Sequence, residues 1–150
     1  MDQRTTYPSG TGNPTNGEIR AALGRVIASE MLRHSPQLAA FLRFVVEATL
    51  RGESHLIKSY TIAVDALGRA SDFDSRFDPI VRVEAGRLRR ALERYYAGVG
   101  AMDPVTIHIP RGCYVPEFRS RQDDTRQQKS LGEGLQRWRA WLANHTRWSK

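Results

Sequence analysis

Cysteine occurs once in the 150 residues, at Cys113, so no intrachain disulfide can form and a reducing compartment fits best. No run of about 18 apolar residues is present, which argues against a transmembrane helix. The opening stretch MDQRTTYPSGTGNPTNG lacks a basic start followed by an apolar core. It does not read as a secretory signal, and a cytoplasmic protein is expected. Catalytic signatures are missing too: there is no GxSxG, P-loop or HExxH pattern, and no base is placed beside Cys113, so neither an enzyme nor a cofactor is expected. His34, His55, His108 and His145 are scattered, and only His108 could approach Cys113; two ligands do not make a zinc site. The segment DFDSRFD, residues 72–78, resembles a calcium loop only superficially. Counted from Asp72, Arg76, Phe77 and Val83 stand where a ligand, a glycine and a glutamate are needed. Asp78 reads as a helix cap instead.

What the chain has in excess is positive charge. Lys and Arg number 23 against 16 Asp and Glu, a formal net charge of +7. That balance favours a polyanionic partner, nucleic acid or an acidic membrane surface. The hydrophobic fraction of 40% supports one domain with a modest core and flexible ends.

Residues 1–16, rich in Thr, Ser, Gly, Pro and Asn, are expected to form a disordered lead-in. From Glu18 to Leu32, Ile19, Leu23, Val26, Ile27 and Met31 recur at helical spacing. Ser35-Pro36 then reads as a cap and first-turn proline opening a second helix over 36–51. Its Leu38, Phe41, Leu42, Val45, Val46 and Leu50 leave it apolar around much of its circumference, which predicts the centre of the core. Gly52 is placed to end it. Ser59 can cap a third helix, SYTIAVDALG, that stops at Gly68. Asp78-Pro79 starts a fourth over 79–97, ended by Gly98 and Gly100. Strands are expected at 105–109 and 113–118, turning at Pro110, Arg111 and Gly112.

The fourth helix and the hairpin carry the functional reading. With Val81 as reference, Ala85, Leu88, Leu92 and Tyr95 fall at successive helical returns and predict a core-facing stripe. Val83, Gly86, Arg87, Arg90 and Arg94 fall on the opposite side, with Arg82 and Arg89 at its flanks. Five arginines are answered by two acids, Glu84 and Glu93, so several guanidinium groups are left to bind phosphate or a guanine edge bidentately. Mid-helix Gly86 costs about 1 kcal/mol relative to alanine. Either it lets the backbone approach a groove wall or it relieves a clash with a neighbouring helix. Arg111-Gly112 supplies a cation and a flexible turn at the hairpin tip, while Val105, Ile107 and Ile109 alternate with Thr106 and His108 so that one face can seal the core. Cys113 reads as a small buried or half-buried strand residue.

RVEAGRLRRALERYY followed by VTIHIPRGCYVPEF resembles the end of an OmpR/PhoB-type winged-helix domain. There, a recognition helix with an R-x-L-R-x-x-L-like core precedes an I-x-x-x-R-G-x-G-Y wing hairpin. The match covers roughly residues 56–118. It departs in having Cys113 and Tyr114 directly after Arg111-Gly112, and in having helices over 18–51 where that family has a strand platform. A closer resemblance, over about residues 18–118, is to the N-terminal domain of bacterial proteins labelled adenylate-cyclase-like or tetratricopeptide-containing. It rests on four blocks in order: SPQLAAFLRFVVEATLRG, IKSYTIAVDALGR, DFDSRFDPIVRVEAGRLRRALERYY and IPRGCYVPEF. It implies a winged helix-turn-helix with 79–97 as recognition helix and SYTIAVDALG as supporting helix; it does not imply cyclase activity.

The expected fold is therefore mostly α with a C-terminal β-hairpin: four helices, a wing, and a further amphipathic helix. The domain spans 17–118, a polar linker 119–130, and a Trp-rich tail helix 131–150 places Leu131, Leu135, Trp138 and Leu142 on one face. That tail suits a homodimer contact, a partner-protein surface, an interfacial membrane helix, or packing on its own core, of which self-association or partner binding is favoured. The expected function is sequence-specific binding of double-stranded DNA by a transcriptional regulator. Arg82, Arg87 and Arg90 are expected at groove and phosphate, Arg89 and Arg94 at the backbone, and Arg111 on the wing. Lys58, Ser59, Tyr60 or Thr61 could add a phosphate contact at the N-terminus of the supporting helix. The alternative is a winged-helix module or adaptor that binds an acidic protein.

Overall fold

A computed structural model describes residues 12–121, 132–140 and 143. Most of the expected lead-in, the linker from residue 122 on, and Leu131, Trp141, Leu142 and His145 lie outside the described residues. Helix α1 (Asn16–Ala28) opens on a capping box. The Thr15 N–H donates to Glu18 Oε2 at 2.7 Å and the Glu18 N–H to Thr15 Oγ1 at 3.3 Å, which satisfies two orphan donors of the first turn. The helix thus begins two residues before Glu18, inside the expected lead-in, and the Thr15 N–H and hydroxyl, both donating to Glu18 Oε2, hold that carboxyl below the usual carboxylate range. It stops at Ser29, whose Oγ donates to the Val26 carbonyl at 2.5 Å. A hydroxyl competing for a helix carbonyl splits what the periodicity predicts as one helix, and a short α2 (Glu30–Arg33) follows.

Helix α3 (Pro36–Leu50) starts on its proline; Ser35 precedes it but makes no side-chain capping bond. It ends in a Schellman arrangement, with the Glu53 N–H on the Ala48 carbonyl at 2.8 Å, the Gly52 N–H on the Thr49 carbonyl at 3.0 Å, and Gly52 at φ 73°. Helix α4 (Ser59–Thr61) is capped from Lys58 rather than Ser59, because the Lys58 N–H donates to Thr61 Oγ1 at 3.0 Å and Ser59 is already helical. It continues over Ile62–Ala66 in a wider turn, closed by the Leu67 N–H on the Ile62 carbonyl at 3.0 Å. Helix α5 (Ile80–Ala97) begins one residue later than expected, with Pro79 rather than Asp78 at the N-cap position; Asp78, one residue further out, still accepts the Ile80 N–H through Oδ1 at 2.9 Å.

Strand β1 (Val105–His108) pairs antiparallel with β2 (Glu117–Ser120), in the register Val105↔Ser120 and His108↔Glu117. The second strand therefore begins four residues later than the expected 113–118 and shares only 117 and 118 with it, and residues 109–116 form a broad connection. Pro110 and Pro116 lack the N–H a ladder needs, Gly112 turns at φ 77°, and Cys113 is exposed rather than in a strand. The described residues are mostly helical with this one small sheet. Phe41, Leu42, Val45 and Val46 of α3 are wholly inside, packed with Leu32, Ile62, Val81, Leu88, Ile107 and Ile109. The central place of α3 and the stripe Val81, Ala85, Leu88, Leu92 and Tyr95 stand as the spacing predicts. No described helix is long and apolar enough to cross a membrane.

Candidate nucleic-acid interface

Helix α5 is clamped on its inner side and open on its outer side. Its C-terminal turns are tied to β1 by Tyr96 and to the loop before β1 by Tyr95. Tyr96 Oη accepts the Ile107 N–H at 2.9 Å, and Tyr95 Oη donates to Asp103 Oδ2 at 2.6 Å. The two rings meet edge to face, 5.0 Å between centroids. Arg25 of α1 stands 3.4 Å from the same Asp103 oxygen. Burial, then the Asp103 bond, pushes the Tyr95 phenol up to about 12; burial does the same for Tyr96, also to about 12, against the lowering effect of the Ile107 bond. At the start of α5, Arg69 stands 3.8 Å from Asp78. In the preceding loop Asp74 is paired with Arg76 at 2.6 Å and held below the usual carboxylate range by it. Among the described residues no three His, Cys, Asp or Glu side chains gather as a metal site would need.

The five arginines of α5 divide by what they touch. Arg89 Nε–H donates to the Ile109 carbonyl at 3.0 Å, and its Nη2 donates to the carbonyls of Pro110 and Cys113, each at 2.9 Å. It is half-buried and spends its donors inside the protein, so the backbone contact expected of it is occupied by the hairpin connection. Arg87 Nη1–H donates to Glu84 Oε1 at 2.9 Å. Glu84 is 3% exposed and its Oε2 has no partner among the described residues, a burial that an acid next to a stripe position does not announce. Arg82, Arg90 and Arg94 are exposed, and no hydrogen bond or ion pair engages them among the described residues. Their positions fall within the outer half-turn of the helix, spread over about 18 Å of axis at 1.5 Å per residue.

Arg111 is exposed at the hairpin turn beside Gly112 and is likewise unengaged among the described residues. The turn is held to the core from below: Tyr114 meets Phe41 edge to face at 6.2 Å, beside the Arg89 clamp. Around α4 the expected donors separate. The Tyr60 hydroxyl donates to the Ser71 carbonyl at 3.0 Å and the Thr61 hydroxyl turns inward to the Leu56 and Lys58 carbonyls. Ser59 is half-buried, and Lys58 is exposed. Val83, 50% exposed near the start of the outer face of α5, is the large apolar residue among the described ones on that face; the helical spacing puts it there, but an exposed valine has no sequence signature of its own.

No protein-family model, curated protein or solved structure matches this chain.

Proposed function

We propose that the protein is a sequence-specific DNA-binding transcriptional regulator, acting in the cytoplasm without a cofactor. In this reading α4 and α5 form the helix-turn-helix, the connection between β1 and β2 is the wing, α5 enters the major groove and Arg111 meets the sugar-phosphate backbone. The observation that carries it is the set Arg82, Arg90 and Arg94, three exposed guanidinium groups on the outer side of α5 without an acid or carbonyl to engage them among the described residues. Like charges along one helix face repel, and a row of phosphates relieves that repulsion while releasing counterions. The inner side of α5 is fixed by the core and by Arg89, so the outer face is presented rigidly, which base readout requires.

Enrichment sequencing from a random duplex pool at about physiological salt tests this, because nonspecific contacts fade there. A short motif is expected from the wild-type chain. It should be lost in the Arg82→Ala/Arg90→Ala double variant, whose melting temperature should match wild type. Failure of the folded wild-type chain to enrich any motif would favour the interaction module with an acidic partner.

One observation favours self-association as well. Residues 132–140 are helical, and Leu135 and Trp138 are 62% and 60% exposed. A homodimer formed through this segment would pair two half-sites. Sedimentation of the full chain, alone and with Trp138→Ala, measures it.

A further inference from the structure

Gly86 stands in the middle of α5, where a glycine is unfavourable because its backbone loses the most freedom in a helix. Nothing within the described protein asks for it. A Cβ built there would meet only Arg90 Nη1, at 3.8 Å, which is ordinary contact, and its φ is not in the left-handed region. The reading that Gly86 makes room for a neighbouring helix is thereby removed. What surrounds it is the outer face itself, with Val83 one turn before and Arg90 one turn after, on the same line. The Arg90 guanidinium leans back over the bare Gly86 backbone, the direction in which helical side chains point.

Resting on the DNA-binding reading above, we propose that Gly86 is the point of closest approach of α5 to the base edges, and that it sets sequence preference together with Val83 and Arg90. A missing side chain lets the helix backbone sink deeper into the groove. Arg90, an unengaged guanidinium with a planar fork, suits the O6/N7 edge of guanine. Val83, apolar and half exposed among cations, suits the C5-methyl of thymine, the only apolar group a base pair shows in the major groove. Because the Arg90 head lies over Gly86, it is about one helical turn, roughly 5 Å, from Val83 along the axis. At about 3.4 Å per base pair, the binding site should hold a thymine within two base pairs of a guanine.

The experiment compares wild type, Gly86→Ala, Val83→Ala and the control Gly24→Ala, using the duplex motif enriched by the wild-type chain. Gly24 is an exposed helical glycine in α1 with nothing within 4 Å of an added Cβ. Both glycine variants should melt at or above the wild-type temperature, since alanine is the better helix former at each site. Gly86→Ala should bind the motif at least about tenfold more weakly, and Gly24→Ala should bind it as wild type does. Replacing the thymine by uracil removes one methyl, and should weaken wild type by about fourfold, the equivalent of one buried methyl group, while leaving Val83→Ala unaffected. Motif binding by Gly86→Ala equal to wild type would overturn the close approach, and a uracil effect that persists in Val83→Ala would overturn the methyl contact. A wild-type chain that enriches no motif would overturn the DNA-binding reading itself, and is told apart because it shows before any variant is made.

Discussion

Arg89 and Ile109 are joined by a 3.0 Å hydrogen bond from the guanidinium Nε–H to the backbone carbonyl, across a separation of 20 residues. Two more bonds from the same side chain reach Pro110 and Cys113, so a cation in the middle of α5 organises the connection between the strands. Arg89→Ala is expected to destabilise the protein by about 2–3 kcal/mol, the scale of hydrogen bonds made by a charged donor. Arg89→Lys should recover little of that, because an ammonium cannot reproduce the planar fork. Urea unfolding of the three proteins checks it. An Arg89→Ala variant as stable as wild type but defective on DNA would return this residue to the interface.

Arg87 and Arg90 lie three residues apart and should behave differently. Arg87 neutralises a buried carboxylate that already leaves one oxygen unpartnered, and removing it strands that charge. Arg87→Ala should therefore cost about 1–3 kcal/mol of stability, whereas Arg90→Ala should fold as wild type does and lose about 1–3 kcal/mol of DNA affinity. Replacing Glu84 with methionine in the Arg87→Ala background should restore stability, since it removes the stranded charge and keeps the volume. Thermal melts alongside titrations of a labelled duplex separate the two effects.

Tyr95 leaves no room at Gly100. A Cβ on that glycine would sit against Cε1, Cδ1 and Cζ of the ring, and the ring is pinned by its bond to Asp103. Gly100→Ala should cost about 1–3 kcal/mol, the range for overpacking. In a Tyr95→Ala background, itself destabilised by loss of the buried ring, Gly100→Ala should add little further loss, because the atoms that clash are gone. Denaturation of the full cycle checks it.

Alkaline pH should loosen the same corner. Tyr95 and Tyr96 are both raised from 10.0 to about 12, so between those values the folded state holds protons that the unfolded state has released. The stability they contribute is fully present below about pH 10 and is lost as pH rises toward about 12. The urea midpoint should fall between about pH 9.5 and pH 11.5, and the fall should be shallower in Tyr96→Phe, which has no phenol to ionise. An identical slope in the two proteins would show that other groups dominate.

The local features were legible from the residues alone. The proline-led start of α3, the start of α5 directly after Pro79, the glycine stop after α3 and the inward stripe of α5 follow from spacing and from the conformations that Pro and Gly allow. The Thr15 to Glu18 box was also written in the chain as T-x-x-E, but it is hidden among turn-forming residues. Periodicity reports which face of an element is apolar, and no more. Which of five arginines was spent internally depended on carbonyls 20 to 24 residues away, and no local pattern encodes that distance. The same holds for the burial of Glu84, for the shift of the second strand to Glu117–Ser120, and for the open space around Gly86. The chain alone determined where α3 and α5 run and which of their faces turn inward, because backbone preferences and apolar spacing act over a few residues, but not the break between α1 and α2 at Ser29. Only the tertiary structure decided which charges remain outward, because a guanidinium pairs with whatever the folded chain brings within about 3 Å of it.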